Sequence, residues 1–186
     1  MPVPTLLNPL GIVGYPYSKR LSYIQSNRSQ SVAVNLFRTI SGNIKIYARF
    51  MRKDSSQYGN AFFFSTAGGT GKLQFDYDVL YYNSSYSSIR HIVPYNEMIE
   101  YRLDTYDGKE YINSTIYSFP RQSGSCNVVR FFTNYSIRFF SFDIFEDNEK
   151  IAALIPVLDQ SSVPCLFDTV SRAFFYNSGS GQFSYE

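Results

Sequence analysis

The sequence predicts an all-β protein, a two-sheet antiparallel sandwich. Three observations predict it. Apolar residues recur with a period of two, the spacing of side chains on one face of a strand. Tyr and Phe number 17 each, and both suit pleated, half-buried surfaces. Turn signals divide the chain into many short apolar runs, with no amphipathic helix longer than a turn or two.

Residues 1 to about 20 stand apart. Pro2, Pro4, Pro9 and Pro16 break up short apolar pieces. Proline blocks helix interiors and central strands, so the segment is expected to be an extended arm. Leu6, Leu7, Leu10, Ile12 and Val13 make it too apolar for a solvated tail. Two readings stand side by side: a strap lying on its own domain, or an arm that docks those residues on a neighbouring subunit. The domain proper is 21–186.

From Leu21 the period becomes two. Ser22–Ser26 leads into Ser31–Leu36. Ile44, Ile46, Ala48 and Phe50 alternate with Asn43, Lys45, Tyr47 and Arg49, a half-buried strand. Ala61–Ser65 is a continuous apolar run, as an inner strand requires. Gly68-Gly69-Thr70-Gly71 is a turn, since glycine takes positive φ at little cost. Lys72–Tyr82 alternates again and reads as one strand. Asn83–Ser88 is a polar loop around Tyr86. Ile89–Val93 and Met98–Leu103 follow. Asp107-Gly108 lies between two strand runs, a hairpin signal. The last third reads as strands separated by turns, over Cys126–Thr133, Ile137–Glu146, Leu154–Asp159 and Val163–Ser171, before Phe174–Phe183. An Asp-x-Val-Ser turn at 168–171 and a Gly179-Ser180-Gly181 hairpin close it.

Bulk properties exclude several classes. At 44% hydrophobic, the chain has enough apolar material for a core without a disulfide framework. Cys126 and Cys165, each among apolar neighbours, are expected to be buried free thiols. A bridge between them would need neighbouring strands. The net charge of +2 is small, and Arg20, Arg28, Arg38 and Arg49 are dispersed. No basic run marks a nucleic-acid footprint. Met1–Pro4 lacks a basic n-region, so no signal peptide is expected. No segment has 18 consecutive apolar residues, so no membrane-spanning helix is expected. Asn-x-Ser/Thr sequons at Asn27, Asn83, Asn113 and Asn134 then read as incidental.

The order of motifs resembles the concanavalin A-like (laminin-G-like) jelly-roll domains of bacteriophage structural proteins. At the front, Leu21-Ser22-Tyr23-Ile24-Gln25-Ser26 and the strand from Ser31 carry the likeness. At the end, Leu154-Ile155-Pro156-Val157, Val163-Pro164-Cys165-Leu166-Phe167-Asp168 and Phe175-Tyr176-Asn177-Ser178-Gly179-Ser180-Gly181 carry it most specifically. The match covers about residues 20–185. It implies a jelly-roll sandwich on a virion. Asp168, bonding amides in its turn, and Gly179 and Gly181, shaping the close, have structural roles of their own.

Some jelly-roll relatives are glycanases, which need two carboxyls roughly 5–5.5 Å apart. A Glu-x-Asp-x-Glu spacing on one strand would supply them, and this chain has none. Glu146-Asp147-Asn148-Glu149 is the densest acidic cluster and reads as a solvated turn. Asp76 and Asp78 share a face, but two oxygen donors do not complete a calcium site. His91, the only histidine, has no nucleophile-elbow motif nearby. Gly68–Lys72 lacks the full phosphate-loop motif and its helix. No catalytic, metal or cofactor site is therefore assigned.

The expected function is non-enzymatic: an auxiliary capsid, head-fibre or tail-associated subunit, made in the host cytoplasm and carried on the virion. Its partners would be other virion proteins and further copies of itself, with neither nucleic acid nor membrane. The alternative is a glycan-binding module for host-surface or mucus carbohydrate. Sugar sites combine an aromatic face with a few polar groups, and Tyr58, Tyr81, Tyr82 and Tyr86 lie in or near polar loops.

Overall fold

The computed structural model describes residues 14–40, 43–53, 61–66, 72–76, 79–83, 88–92, 94–118, 126–133 and 136–186. These form seventeen strands and no helix: β1 (Lys19–Arg20), β2 (Ile24–Gln25), β3 (Val32–Ile40), β4 (Ile44–Arg52), β5 (Ala61–Thr66), β6 (Lys72–Asp76), β7 (Val79–Asn83), β8 (Ser88–Ile92), β9 (Met98–Asp104), β10 (Lys109–Ile112), β11 (Thr115–Ser118), β12 (Cys126–Thr133), β13 (Ile137–Glu146), β14 (Glu149–Leu158), β15 (Pro164–Asp168), β16 (Phe174–Phe175) and β17 (Ser184–Tyr185). Every pairing among them is antiparallel.

Two sheets result. The eleven-stranded sheet runs β11-β10-β9-β4-β13-β14-β15-β16, with β1 beside β14, β2 beside β13 and β17 beside β2. The six-stranded sheet runs β3-β12-β5-β6-β7-β8. One apolar core lies between them. Val32 and Val34 of β3 and Val129, Phe131 and Phe132 of β12 join Ile46, Phe50, Ile99, Phe139, Phe142 and Ile144 of the large sheet. The Phe131 ring meets Phe142 edge-on at 4.8 Å and Phe139 at 5.6 Å. Burial of one such ring is worth about 1.5–3 kcal/mol, so this aromatic layer is a main source of cohesion between the sheets.

The alternation predicted for β4 holds: Ile46, Ala48 and Phe50 are buried, while Tyr47 and Arg49 face solvent. The next inward position is Arg52, which is fully buried. Its guanidinium lies 4.0 Å over the Tyr95 ring and donates to the Tyr95 hydroxyl at 2.8 Å. The acidic Glu146–Glu149 stretch is the β13–β14 turn. Asp147 and Asn148 both have positive φ, 49° and 70°, the requirement of a two-residue type I′ hairpin. Asp147 accepts bonds from the Asn43 amide and side chain at 3.1 and 3.0 Å.

Pro156 sits inside β14, where proline is ordinarily excluded. The pairing of β14 with β13 ends at Leu154 and its pairing with β1 begins at Val157. Between them, on that edge, no ladder amide is required of residue 156. The Pro156 carbonyl accepts the Leu21 amide at 3.0 Å.

Two expectations are corrected. Lys72–Tyr82 is not one strand: β6 ends at Asp76, and β7 starts at Val79 and folds back beside it. The chain end is not a Gly-x-Gly hairpin. β17 pairs with β2 and not with β16. The 177–182 loop crosses to the 27–31 segment, where the Ser178 amide donates to the Ser31 carbonyl at 2.8 Å and the Ser180 amide to Ser29 at 2.9 Å.

Residues 14–20 lie against their own domain. Tyr17 covers a small second cluster of Val157, Cys165 and Phe167, with its ring 5.4 Å from that of Phe167. Residues 1–13, with Leu6, Leu7, Leu10, Ile12 and Val13, lie outside the described residues. Cys165 is a buried free thiol; burial pushes its pKa up to about 12. Its strand β15 and Cys126's strand β12 belong to different sheets.

Candidate functional site

The outward face of the large sheet carries the best-formed candidate. Cross-strand register builds it in rows. One row aligns Asp143 of β13, Tyr47 of β4, Arg102 of β9 and Tyr111 of β10. The next aligns Ser141, Arg49 and Glu100. Between the rows lies a depression of about 330 Å³, lined by Tyr47, Arg49, Glu100, Arg102, Asp143 and Phe145 with Ser141 among them.

The depression has a local cause. The β13–β4 register slips between Phe139 and Ser141, so Phe140 is an extra residue. Such a bulge re-aims the side chains that follow it. Phe139 and Phe142 both point into the core although they are three apart. Ser141 thus occupies an outward position opposite Arg49, and its short side chain leaves room between larger neighbours.

Aromatic and charged groups share the rim. The Tyr47 and Phe145 rings meet edge-on at 5.2 Å. The Arg102 guanidinium lies 5.6 Å from the Tyr47 ring centre, and the Lys150 ammonium 5.2 Å from that of Phe145. Lys150 bonds Asp143 at 2.8 Å, and Arg49 pairs with Glu100 at 3.5 Å. Nearby, Lys45 pairs with Asp104 at 3.1 Å. Burial acts to raise the Asp104 pKa. The Asp107 amide, Lys45 and the Tyr106 amide outweigh it and hold the carboxyl below its ordinary range.

The tyrosines chosen from sequence fall elsewhere. Tyr58 and Tyr86 lie outside the described residues. Tyr81 and Tyr82 are in β7 of the small sheet, Tyr81 opposite Gln74 and Arg90, Tyr82 opposite Leu73 and Ile89. His91 stands in β8 opposite Leu80. Asp78 lies outside the described residues, and β6 ends at Asp76. No cluster of three His, Cys, Asp or Glu side chains suited to a metal occurs among the described residues.

A second depression, about 370 Å³, lies where the N-terminal segment enters. Gly14, Tyr15, Pro16 and Tyr17 form one wall and Phe167, Thr169 and Arg172 the other. Sequence reasoning passed over Tyr47 and Phe145 because it weighed aromatics in loops. The available signal was an aromatic in the polar half of the β4 alternation.

The C-terminal motifs have a structural use. Asp168 is buried, and its carboxylate accepts the amides of Ala153 (2.7 Å), Val170 (3.1 Å) and Ser171 (3.2 Å) and the Ser171 hydroxyl (2.6 Å). Asn177 Oδ1 accepts the Ser31 and Gly179 amides at 3.0 and 2.9 Å. Gln30 donates to the carbonyls of Ser180 and Gln182, each at 3.2 Å. A comparison with protein-family models returns no match, and neither does a comparison with curated proteins.

Proposed function

We propose that the chain is a non-enzymatic structural subunit of a bacteriophage particle. In this account residues 21–186 form a concanavalin A-like jelly roll, and residues 1–13 form an arm that docks on a neighbouring virion protein or a second copy. One observation carries the reading. The two stretches that bear the resemblance, Leu21–Val32 and Phe175–Gly181, are some 150 positions apart and meet in one hydrogen-bonded clasp. A motif pair that closes a single fold is what a shared architecture requires. The antiparallel two-sheet sandwich agrees with it.

The packing of Tyr17 supports ending the proposed arm at residue 13 and not at about residue 20. Residues 14–20 belong to the domain, because Tyr17 covers Val157 and Phe167 and β1 pairs with β14. Deleting 1–13 should leave the melting temperature unchanged and abolish incorporation into particles. Deleting 1–20 should also destabilise the sandwich. Normal incorporation of the shorter deletion would remove the arm from the account.

A second reading, a glycan-binding module on the same particle, is favoured by the depression beside Tyr47 and Phe145. An aromatic wall with a few converging polar groups is the usual composition of such sites. Alanine at Tyr47 should weaken retention on immobilised glycans without changing thermal stability.

A further inference from the structure

We propose that the outward depression on β4, β9 and β13 binds an acidic saccharide, a sugar bearing a carboxylate, with Arg102 as the carboxylate's partner. This inference rests on the glycan-binding reading. The charge arrangement supports it. Arg49 and Arg102 line the depression, and Lys45 and Lys150 flank Phe145 at its edge. Three of these four cations are satisfied: Lys45 by Asp104, Arg49 by Glu100 and Lys150 by Asp143. Arg102 has no carboxylate partner among the described residues. Its cross-strand neighbours are Tyr47 and Tyr111. An exposed guanidinium framed by two phenols offers a planar fork that matches a carboxylate in bidentate geometry.

The remaining lining suits a sugar better than a peptide. Each hydroxyl both donates and accepts, so it needs an acceptor and a donor side by side. The Arg49–Glu100 and Lys150–Asp143 pairs provide that twice. The Tyr47 and Phe145 rings wall the depression and offer apolar surface to the C–H face of a pyranose. The volume, about 330 Å³, falls in the size range of small-ligand sites.

Titration calorimetry of the full chain in 0.15 M salt would use tetragalacturonate and its methyl ester, then sialyllactose and lactose. Expected results are binding of at least one acid, with its neutral counterpart at least about tenfold weaker, the size of a lost charge-assisted contact. R102Q should lose about tenfold or more on the same basis. R130Q, which changes an exposed arginine of the small sheet, should bind as the parent does. Equal melting temperatures would certify the folds. Whichever acid binds identifies the source of the carboxylate, a uronate or a sialate. Neutral sugars binding as tightly as the acids would overturn the carboxylate assignment and leave the glycan reading standing. Undiminished binding by R102Q would overturn the site. No binding of any of the four saccharides would overturn both, while particle association is decided separately.

Discussion

Phe131 and Phe132 are chain neighbours, yet both rings are fully buried in the same core. Their centroids are 6.0 Å apart, and both meet Phe139 edge-on, at 5.6 and 5.8 Å. Successive residues of a regular strand face opposite sides. Phe132 escapes that rule with a φ of 66°, a conformation that is rare for a bulky residue. The strain places its ring against Phe183 as well, at 5.2 Å.

Phe132→Ala should destabilise by about 3–5 kcal/mol, the range for an emptied aromatic site. Phe132→Gly should be no worse, because glycine takes positive φ freely while alanine retains the strain. Urea unfolding compares the two. A glycine variant about 1 kcal/mol below alanine, the usual order within regular elements, would contradict the left-handed backbone at this position.

The four bonds to Asp168 lock the turn after β15 onto β14. Asn at this position keeps one acceptor oxygen but turns an amide toward the donors of Ser171 or Ala153. Both Asp168→Asn and Asp168→Ala should therefore cost at least about 2 kcal/mol, as expected when buried donors are left unsatisfied. Ser171→Ala, which removes one bond, should cost about 1 kcal/mol. Denaturant midpoints measure the series. A neutral Asp168→Asn would show that the carboxylate is not needed.

At the clasp, a Cβ on Gly179 would stand 2.1 Å from the Ser29 carbonyl oxygen and 3.0 Å from the Ser31 nitrogen. Both are backbone atoms, so Gly179→Ala must push the loop away. Hydrogen exchange of the Ser31 amide, which donates to Asn177, should quicken in this variant. Gly181→Ala should act more mildly: a positive φ of 71° strains alanine, but only the flexible Gln30 side chain approaches, at 3.1 Å. Unchanged exchange in Gly179→Ala would disprove the close approach.

Asp104 gives a pH dependence of known sign. The folded carboxyl is held below its unfolded value, near about 3.9. It therefore contributes stability above that value and loses it as pH falls through the folded one. In Asp104→Asn, Oδ1 still accepts the Tyr106 and Asp107 amides, both 3.0 Å away, and only the Lys45 ion pair and the titration are lost. The variant should show a shallower loss of stability between about pH 5 and 2. A slope equal to the parent's would place the acid sensitivity elsewhere.

Much of the architecture was legible in local pattern. The β4 alternation, the Asp107-Gly108 and Glu146–Glu149 turns and the Asp168 turn depend on neighbours in sequence. The β6–β7 reversal was not legible, because Leu73, Phe75, Tyr77 and Val79 alternate with polar residues straight across it, with neither glycine nor proline to mark the break. Arg52 set two signals against each other, an inward position and a charge; Tyr95, on another segment, resolved them by covering the guanidinium. The clasp and the Tyr47–Arg102–Phe145 depression come from long-range register. The local trace of the depression was Tyr47, an aromatic in the polar half of the β4 alternation; the bulge at Phe140 shows only in the β13–β4 register.

The most direct test of the particle account is to purify phage particles from the source culture on a density gradient and quantify this chain by mass spectrometry against the major shell protein. The account predicts that the chain co-sediments with infectious particles at a fixed ratio to the shell protein from one preparation to the next. Its recovery only as free protein in the lysate, with none in the particle band, would contradict it.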